Sequence, residues 1–245
     1  MASLKVVDHY ITYRGVNLLS SFHVKIDGNQ TFQTAKRDVE RFAVPGRNGD
    51  LTIDGGRFDP FTLPYDAYIV DDWQKNSANL AAFLLQDAAP HRLEDTIHPD
   101  IYRMAAFEGP FDPEVIWLSS GRFTLNFHCQ PECWLKIGER KTAVDDSATV
   151  MLKNPTSYPA KPLIKVTQGT GMISVGDTII QLTVNETGQT YIDCETEDAW
   201  EGASNRNSSI NRITGDFPVL QPGENTVSVG SGMQIEVIPR WWTVL

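Results

Sequence analysis

Chemistry in this chain would have to start from very few places. The run His128-Cys129-Gln130-Pro131-Glu132-Cys133 is the one cluster with the look of metal ligands. Its spacing is CxxxC, with no second Cys pair, and Pro131 precedes Glu132 where a zinc deaminase needs Pro-Cys-x-x-Cys. Cys129 also falls in phase with Phe123, Leu125 and Phe127, so it is expected to point inward as a small hydrophobe. The acidic run Asp193-Cys194-Glu195-Thr196-Glu197-Asp198-Ala199-Trp200-Glu201 offers paired carboxylates beside a tryptophan, the ingredients of glycoside hydrolysis or of a weak Ca²⁺ site. Asp193, Glu195 and Glu197 alternate, however. On a strand they would share one solvated face opposite buried Ile192 and Cys194. The five histidines (His9, His23, His91, His98, His128) show no HExxH and no i, i+4 pair, and no serine sits in a G-x-S-x-G elbow. Nothing assembles a nucleophile, a base and oxyanion donors. The expectation is a non-enzyme with no catalytic residues, no metal and no cofactor.

The elements around these residues are mostly short strands. Phe22–Asp27 and Arg122–Cys129 alternate apolar and polar residues, and Asp66–Val70 and Ile101–Phe107 are weaker strand candidates. One helix is predicted between them. Asp71 is its candidate cap, Gln74 stands three residues on, and Trp73, Leu80, Phe83 and Leu84 form a stripe that Pro90 follows. The stretch Val44 to Gly56 is dense in turn signals. Pro45-Gly46 suits a type II turn and Asn48-Gly49 a type I′ turn, and neither phosphate-loop pattern is present, so it reads as a loop or hairpin. Asn154-Pro155-Thr156-Ser157-Tyr158-Pro159-Ala160-Lys161-Pro162 reads as a connector. Beyond it come Met172–Val175 and Thr178–Val184 around a Gly176-Asp177 turn, then Tyr191–Glu195 and Met233–Ile238, a pattern expected of a β-sandwich.

The 245 residues suffice for one or two cores, and 41% hydrophobic residues exclude wholesale disorder. No apolar run reaches the ~20 residues of a membrane span, so membrane insertion is not expected. The first residues lack an apolar core, so no secretory signal is expected, and Cys129, Cys133 and Cys194 are read as reduced thiols. Twenty-one basic against 31 acidic residues give a net charge of −10, shared equally between residues 1–136 and 137–245. That balance argues against a face that grips nucleic acid, whose affinity comes mainly from Lys and Arg on phosphates.

Several segments follow one another in a telling order: Pro45-Gly46-Arg47-Asn48-Gly49-Asp50-Leu51, Asp54-Gly55-Gly56-Arg57-Phe58, a strand and helix, Tyr102-Arg103 to Phe107, and Gly121 to Pro131. In the second half come Gly169–Ile173, Tyr191–Glu195, Gly215–Asn225 and Pro239-Arg240-Trp241-Trp242. In this order the segments resemble the distal tail protein (Dit) family of long-tailed bacteriophages. The resemblance implies a mainly β (α+β) chain. Residues 1–136 would form a ring-forming domain with one covering helix, and 137–245 a galectin-like β-sandwich. It implies a structural hub, a homo-hexamer set between the tail tube protein and the tail-tip protein. Receptor-binding proteins would be further partners, DNA would pass through the ring, and the hub would sit in the virion after assembly in the host cytoplasm. On this reading Arg47, Asn48, Asp50, Arg57 and Phe58 are candidates for the ring interface. The alternative is a galectin-like carbohydrate-binding module. Against it, the second half has no histidine with which to build a galectin-type site.

Overall fold

The computed structural model describes residues 8–30, 32–117 and 120–245, and the chain forms two compact units, Met1–Cys133 with Val244–Leu245, and Trp134–Thr243. In the first, the elements in chain order are β1 (Ile11–Tyr13), β2 (Val16–Asn17), α1 (Leu18–Phe22), β3 (Val24–Ile26), β4 (Arg37–Ala43), β5 (Asp50–Phe58), β6 (Phe61–Ile69), α2 (Trp73–Leu84), β7 (His91–Asp95), β8 (Ile101–Phe107), β9 (Glu114–Trp117) and β10 (Ser120–Leu135). Its main sheet runs β2-β1-β7-β8-β10-β6-β3, with β9 also on β10. The alternation expected over Arg122–Cys129 is present: Phe123, Leu125, Phe127 and Cys129 are buried, while Arg122, Thr124, Asn126 and His128 are exposed. The weaker candidates at Asp66–Val70 and Ile101–Phe107 fall on β6 and β8.

A one-sided sheet must be covered, and α2 covers it. Leu80 and Leu84 are fully buried, and Trp73 and Phe83 pack against the same core. Rings knit that core: Tyr13 meets Phe83 edge-on at 6.2 Å and Phe127 at 5.1 Å. The helix start differs from the sequence expectation. Asp72, not Asp71, is the cap residue, at φ 36° and with no side-chain capping bond. Instead the Asn76 amide donates to the Asp71 carbonyl at 2.7 Å. The strand expected over Phe22–Asp27 is shorter too. Phe22 closes α1, whose Asn17 cap accepts from the Leu19 and Ser20 amides, and His23 at φ 57° breaks the chain direction before β3.

One polar cluster is buried among these residues. The Tyr65 hydroxyl donates to Asp95 Oδ2 at 2.8 Å, and Arg103 Nη1 lies 3.7 Å from the same oxygen. Asp95 Oδ1 accepts from the amides of Ile97 and His98. Burial, and then the Asp95 charge, hold the Tyr65 hydroxyl well above its ordinary range.

The second unit continues with β11 (Thr142–Val144), β12 (Thr149–Asn154), β13 (Leu163–Gln168), β14 (Gly171–Val175), β15 (Thr178–Leu182), β16 (Thr190–Asp193), β17 (Asp198–Glu201), β18 (Ser204–Asn205), β19 (Ile210–Thr214), β20 (Gly223–Val229), β21 (Gln234–Ile238) and β22 (Trp242–Thr243). Two antiparallel sheets, β11-β21-β13-β16-β17-β18 and β12-β20-β14-β15-β19, share one core that includes Ile164, Val166, Ile192 and Ile235 from the first and Ile173, Ile180 and Val227 from the second. This is a sandwich, as the strand spacing suggested. Gly176-Asp177 forms the expected two-residue turn, closing the Val175–Thr178 pair with Gly176 at φ 55°.

The proline-rich stretch 154–162 is not a connector. It lies inside the second unit, where Asn154 is buried and its amide donates to the carbonyls of Tyr158 and Leu220. Ala160 pairs with Leu220 through both backbone bonds. The prolines shape an ordered crossing whose backbone groups are satisfied by these partners.

Candidate functional site

Among the described residues, the first unit carries one element that joins no other sheet. β4 and β5 pair only with each other, from Arg37↔Phe58 at the base to Ala43↔Asp50 at the tip. Nine residues at about 3.3 Å each make the longer strand roughly 25–30 Å. Its sequence explains its form. At the tip the Arg47 amide donates to the Val44 carbonyl at 3.1 Å, and Gly46 takes φ 79°, the turn expected of Pro45-Gly46. The type I′ turn expected at Asn48-Gly49 does not form. Gly49 has φ 82° but Asn48 does not enter the left-handed region, and the loop spans six residues, 44–49, rather than two.

Near the base the register shifts between Arg37 and Val39, so the segment Gly55-Gly56-Arg57 lies across from Asp38. The two glycines have different reasons. Gly56 takes φ 73°, whereas a Cβ on Gly55 would stand 2.6 Å from the Asp38 carboxylate. Ion pairs lock this bulge. Arg37 donates from Nε and Nη2 to Asp54 Oδ2 at 2.9 and 2.7 Å, and Arg57 Nε donates to Asp38 at 2.9 Å. The Arg37 bond, followed by the Gly56 amide, lowers the Asp54 carboxyl below its usual range. Arg37 also lies over the Phe58 ring at 5.5 Å.

The arm's faces are unequal. Phe42 and Leu51 are direct partners, as are Glu40 and Ile53, so Phe42, Leu51 and Ile53 share one side. All three are about half exposed, at 49, 46 and 49%, and Val44 at the tip is 38% exposed. An isolated two-stranded ribbon is marginal in water, and apolar side chains left outside mark a contact surface. The arrangement is an extended arm with one exposed apolar side.

The five expected interface residues all belong to this hairpin, but the structure does not gather them. Arg47, Asn48 and Asp50 lie at the tip, while Arg57 and Phe58 lie at the base and are engaged within the arm itself. The hairpin's exposed apolar side adds Phe42 to Leu51 and Ile53, which lie within the segment Arg47–Phe58. The sequence signal for that side is Leu51-Thr52-Ile53, an alternating triplet directly after a turn.

The two candidate chemical clusters resolve into structure. His128 points to the face opposite Cys129, so it does not join the cysteines as a ligand, and burial pushes the Cys129 thiol up to about 12. Cys133 and Cys194 are buried as well. The acidic run is not one solvated face. Asp193 is buried and accepts two bonds from Arg240, at 2.7 and 3.0 Å. Burial raises its carboxyl, but Arg240 and the Glu195 and Thr196 amides outweigh that and bring it below the usual range. Glu201, also buried, accepts from the Thr187 hydroxyl at 2.6 Å, from the Thr187 amide, and from Arg206. Its carboxyl drops to about 2, first through the Thr187 hydroxyl and amide. Trp200 stacks on Tyr191 at 5.5 Å, and Lys165 lies 5.6 Å from the Tyr191 ring. Among the described residues no His, Cys, Asp or Glu group is placed to hold a metal ion, and no helix is long and apolar enough to cross a membrane.

Fold and arm together define a class: a two-unit, β-rich chain whose first unit extends a ribbon and whose second is a two-sheet sandwich. Its fold is that of the SPP1 Dit (gp 19.1) protein, whose crystal structure is described as a paradigm of the hub adsorption apparatus in phages infecting Gram-positive bacteria. The two share 16% identity at a TM-score of 0.69, over 97% of this chain and 99% of that one. No family model and no curated protein matches the chain.

Proposed function

We propose that this chain is a structural hub protein of a phage tail tip and not an enzyme. The carrying observation is the fold shared with a hub protein along nearly the whole of both chains. On this reading six copies close into a ring that joins the tail tube protein above to the tail-tip protein below. Residues 1–136 build the ring, and 137–245, a galectin-like sandwich, stand at its periphery where receptor-binding proteins could be held. The exposed arm supports self-association, because a ring needs a repeated contact that closes by rotation. Arg47, Asn48 and Asp50 at its tip would then face a neighbour, and Arg57 and Phe58 would hold its base. Six copies would carry a charge of −60, six times the −10 of one chain, which disfavours adhesion of passing DNA. The protein would assemble in the host cytoplasm and reside in the virion.

Light scattering over a concentration series, with negative-stain imaging of purified tails, tests this. Six copies of 27.4 kDa give 164.4 kDa. The expected result is that mass, or a six-fold ring at the tail tip. A persistent monomer together with tails lacking such a ring would overturn the reading.

A further inference from the structure

Asparagine is among the chemically labile residues, and where glycine follows it the backbone itself is the reagent that attacks the side chain. The sequence has one Asn-Gly pair, Asn48-Gly49, and two Asp-Gly pairs, Asp27-Gly28 and Asp54-Gly55. The three are held very differently. Asp27 Oδ1 accepts from the Asn29 amide at 3.1 Å. Asp54 is engaged through both oxygens, by the Gly56 amide at 2.9 Å and by Arg37 at 2.9 and 2.7 Å. Among the described residues, neither the Asn48 side chain nor the Gly49 backbone amide has a hydrogen-bond partner.

The surroundings of the pair are open as well. Asn48 and Gly49 are exposed and lie outside the β4–β5 ladder, whose last pair is Ala43↔Asp50. No atom stands within 4 Å of where a Cβ on Gly49 would be. Other exposed asparagines lack this freedom. Asn79 sits inside α2 and Asn126 inside β10, where the ladders fix the backbone, and Leu80 and Phe127 follow them with side chains that crowd the next nitrogen.

Independently of the hub reading, we propose that Asn48 is a site of spontaneous deamidation, with the Gly49 backbone nitrogen as nucleophile and water as the second reactant. Solvent base takes the Gly49 N–H proton, and the nitrogen attacks Asn48 Cγ. A new C–N bond closes a succinimide ring, the bond from Cγ to the side-chain nitrogen breaks, and that nitrogen leaves as ammonia after taking a proton from water. Water then adds to one imide carbonyl, and the ring C–N bond at that carbon breaks. Opening at Cγ gives an aspartate at position 48. Opening at the backbone carbonyl gives an isoaspartate, in which the chain runs through the side-chain carbon. Either way one water is consumed and one ammonia released, and nothing is oxidised or reduced. Arg47 and Asp50 carry opposite charges on either side of the pair, so the new carboxylate leaves the tip with a net negative charge. Fresh and aged chains therefore present different tips to any partner.

The test incubates the full chain, dilute and at mildly alkaline pH, and then digests it with pepsin in acid, where the succinimide route is suppressed. Mass spectrometry should find the fragment carrying position 48 heavier by the difference between water and ammonia, in a share that grows with time. Part of that share should accept methyl groups from an isoaspartyl methyltransferase, the mark of a ring opened both ways. Conversion at position 48 should outrun that at Asn79 and Asn126 at least tenfold. Gly49→Ala should slow it about tenfold, because the added Cβ crowds the attacking nitrogen. Asn48→Gln, whose longer side chain must close a larger ring, should nearly abolish release of ammonia from that fragment. Conversion no faster than at Asn79, a rate that ignores Gly49→Ala, or a product free of isoaspartate would each overturn the proposal.

Discussion

Arg240 reaches Asp193 through both terminal guanidinium nitrogens, at 2.7 and 3.0 Å, from a residue whose own backbone sits at φ 58°. Asp193 ends β16, and Arg240 follows β21, so the pair ties the end of one strand to the segment leaving another. Cutting the pair leaves a largely buried carboxylate without its cation. Arg240→Ala should therefore cost about 2–4 kcal/mol of stability, read from the urea midpoint of the second unit's transition. A loss below ~0.5 kcal/mol would mean that water replaces the guanidinium.

Acid should unfold the second unit through the same chemistry. Asp193 and Glu201 are both lowered in the folded chain, Glu201 from 4.5 to about 2. A lowered carboxyl contributes stability above its unfolded pKa, and the contribution is lost as pH falls through the folded value. For Glu201 the window runs from about 4.5 down to about 2. Stability of Glu201→Gln should be lower at neutral pH and flatter across that window, as thermal melts at stepped pH would show. An unchanged acid slope would place the acid sensitivity elsewhere.

Asp95 should be the most sensitive single position of the first core. Its removal would strip Tyr65 of an acceptor and leave the buried Arg103 guanidinium without its carboxylate neighbour. Asp95→Ala should cost about 3–5 kcal/mol, measured by chemical denaturation. Tyr65→Phe, which keeps the ring and the Asp95–Arg103 neighbourhood, should cost about 1 kcal/mol. Similar costs for the two changes would argue against a shared network.

The cysteines should behave as core residues. With the Cys129 thiol pushed up to about 12 and all three sulfurs buried, the native chain should react with a thiol reagent only slowly. It should react fully once unfolded. Elemental analysis should find no stoichiometric zinc. Rapid native labelling, or one zinc per chain, would reopen the Cys129–Cys133 reading.

The arm tip should be the first place a protease cuts the unassembled chain. Residues 44–49 are exposed and outside the ladder, and Arg47 offers trypsin its side chain. Cleavage after Arg47 should slow sharply on self-association if the tip faces a neighbour, and Arg47→Glu should weaken that association. Gly49→Val should disturb the tip through its φ of 82° alone, since no atom lies near the added carbon; the cost is about 1–2 kcal/mol, against almost none for a change at exposed Lys75. Equal cutting in free and assembled protein would place the tip outside the contact.

Periodicity made the cores legible and did less for the polar groups. Phe123 to Cys129, Leu80 with Leu84, and Ile173 with Ile180 follow patterns of period two or 3.6 that burial imposes locally. Asp193 could not be read that way. Its alternation with Glu195 and Glu197 resembles a wet strand face, and only Arg240, 47 residues away, makes it a buried partner. The prolines of 154–162 misled for a similar reason, because the Leu220 carbonyl and amide that order the stretch come from far along the chain. The arm sits between these cases. Its turns were visible at Pro45-Gly46, but that Phe42, Leu51 and Ile53 stay outside depends on the absence of a third strand, which no local pattern encodes.

The absence of a third strand among the described residues has a consequence for the isolated chain. Both long edges of the ribbon carry unpaired amides and carbonyls, the template on which fibres grow. In Val39-Glu40-Arg41-Phe42-Ala43 the charges sit one per face beside the apolar residues. Two identical ribbons laid side by side in parallel register would set Glu40 against Glu40 and Arg41 against Arg41, and each such contact repels. The edge can stay open to a differently charged surface while in-register stacking of its own copies is disfavoured, a built-in restraint on fibre growth.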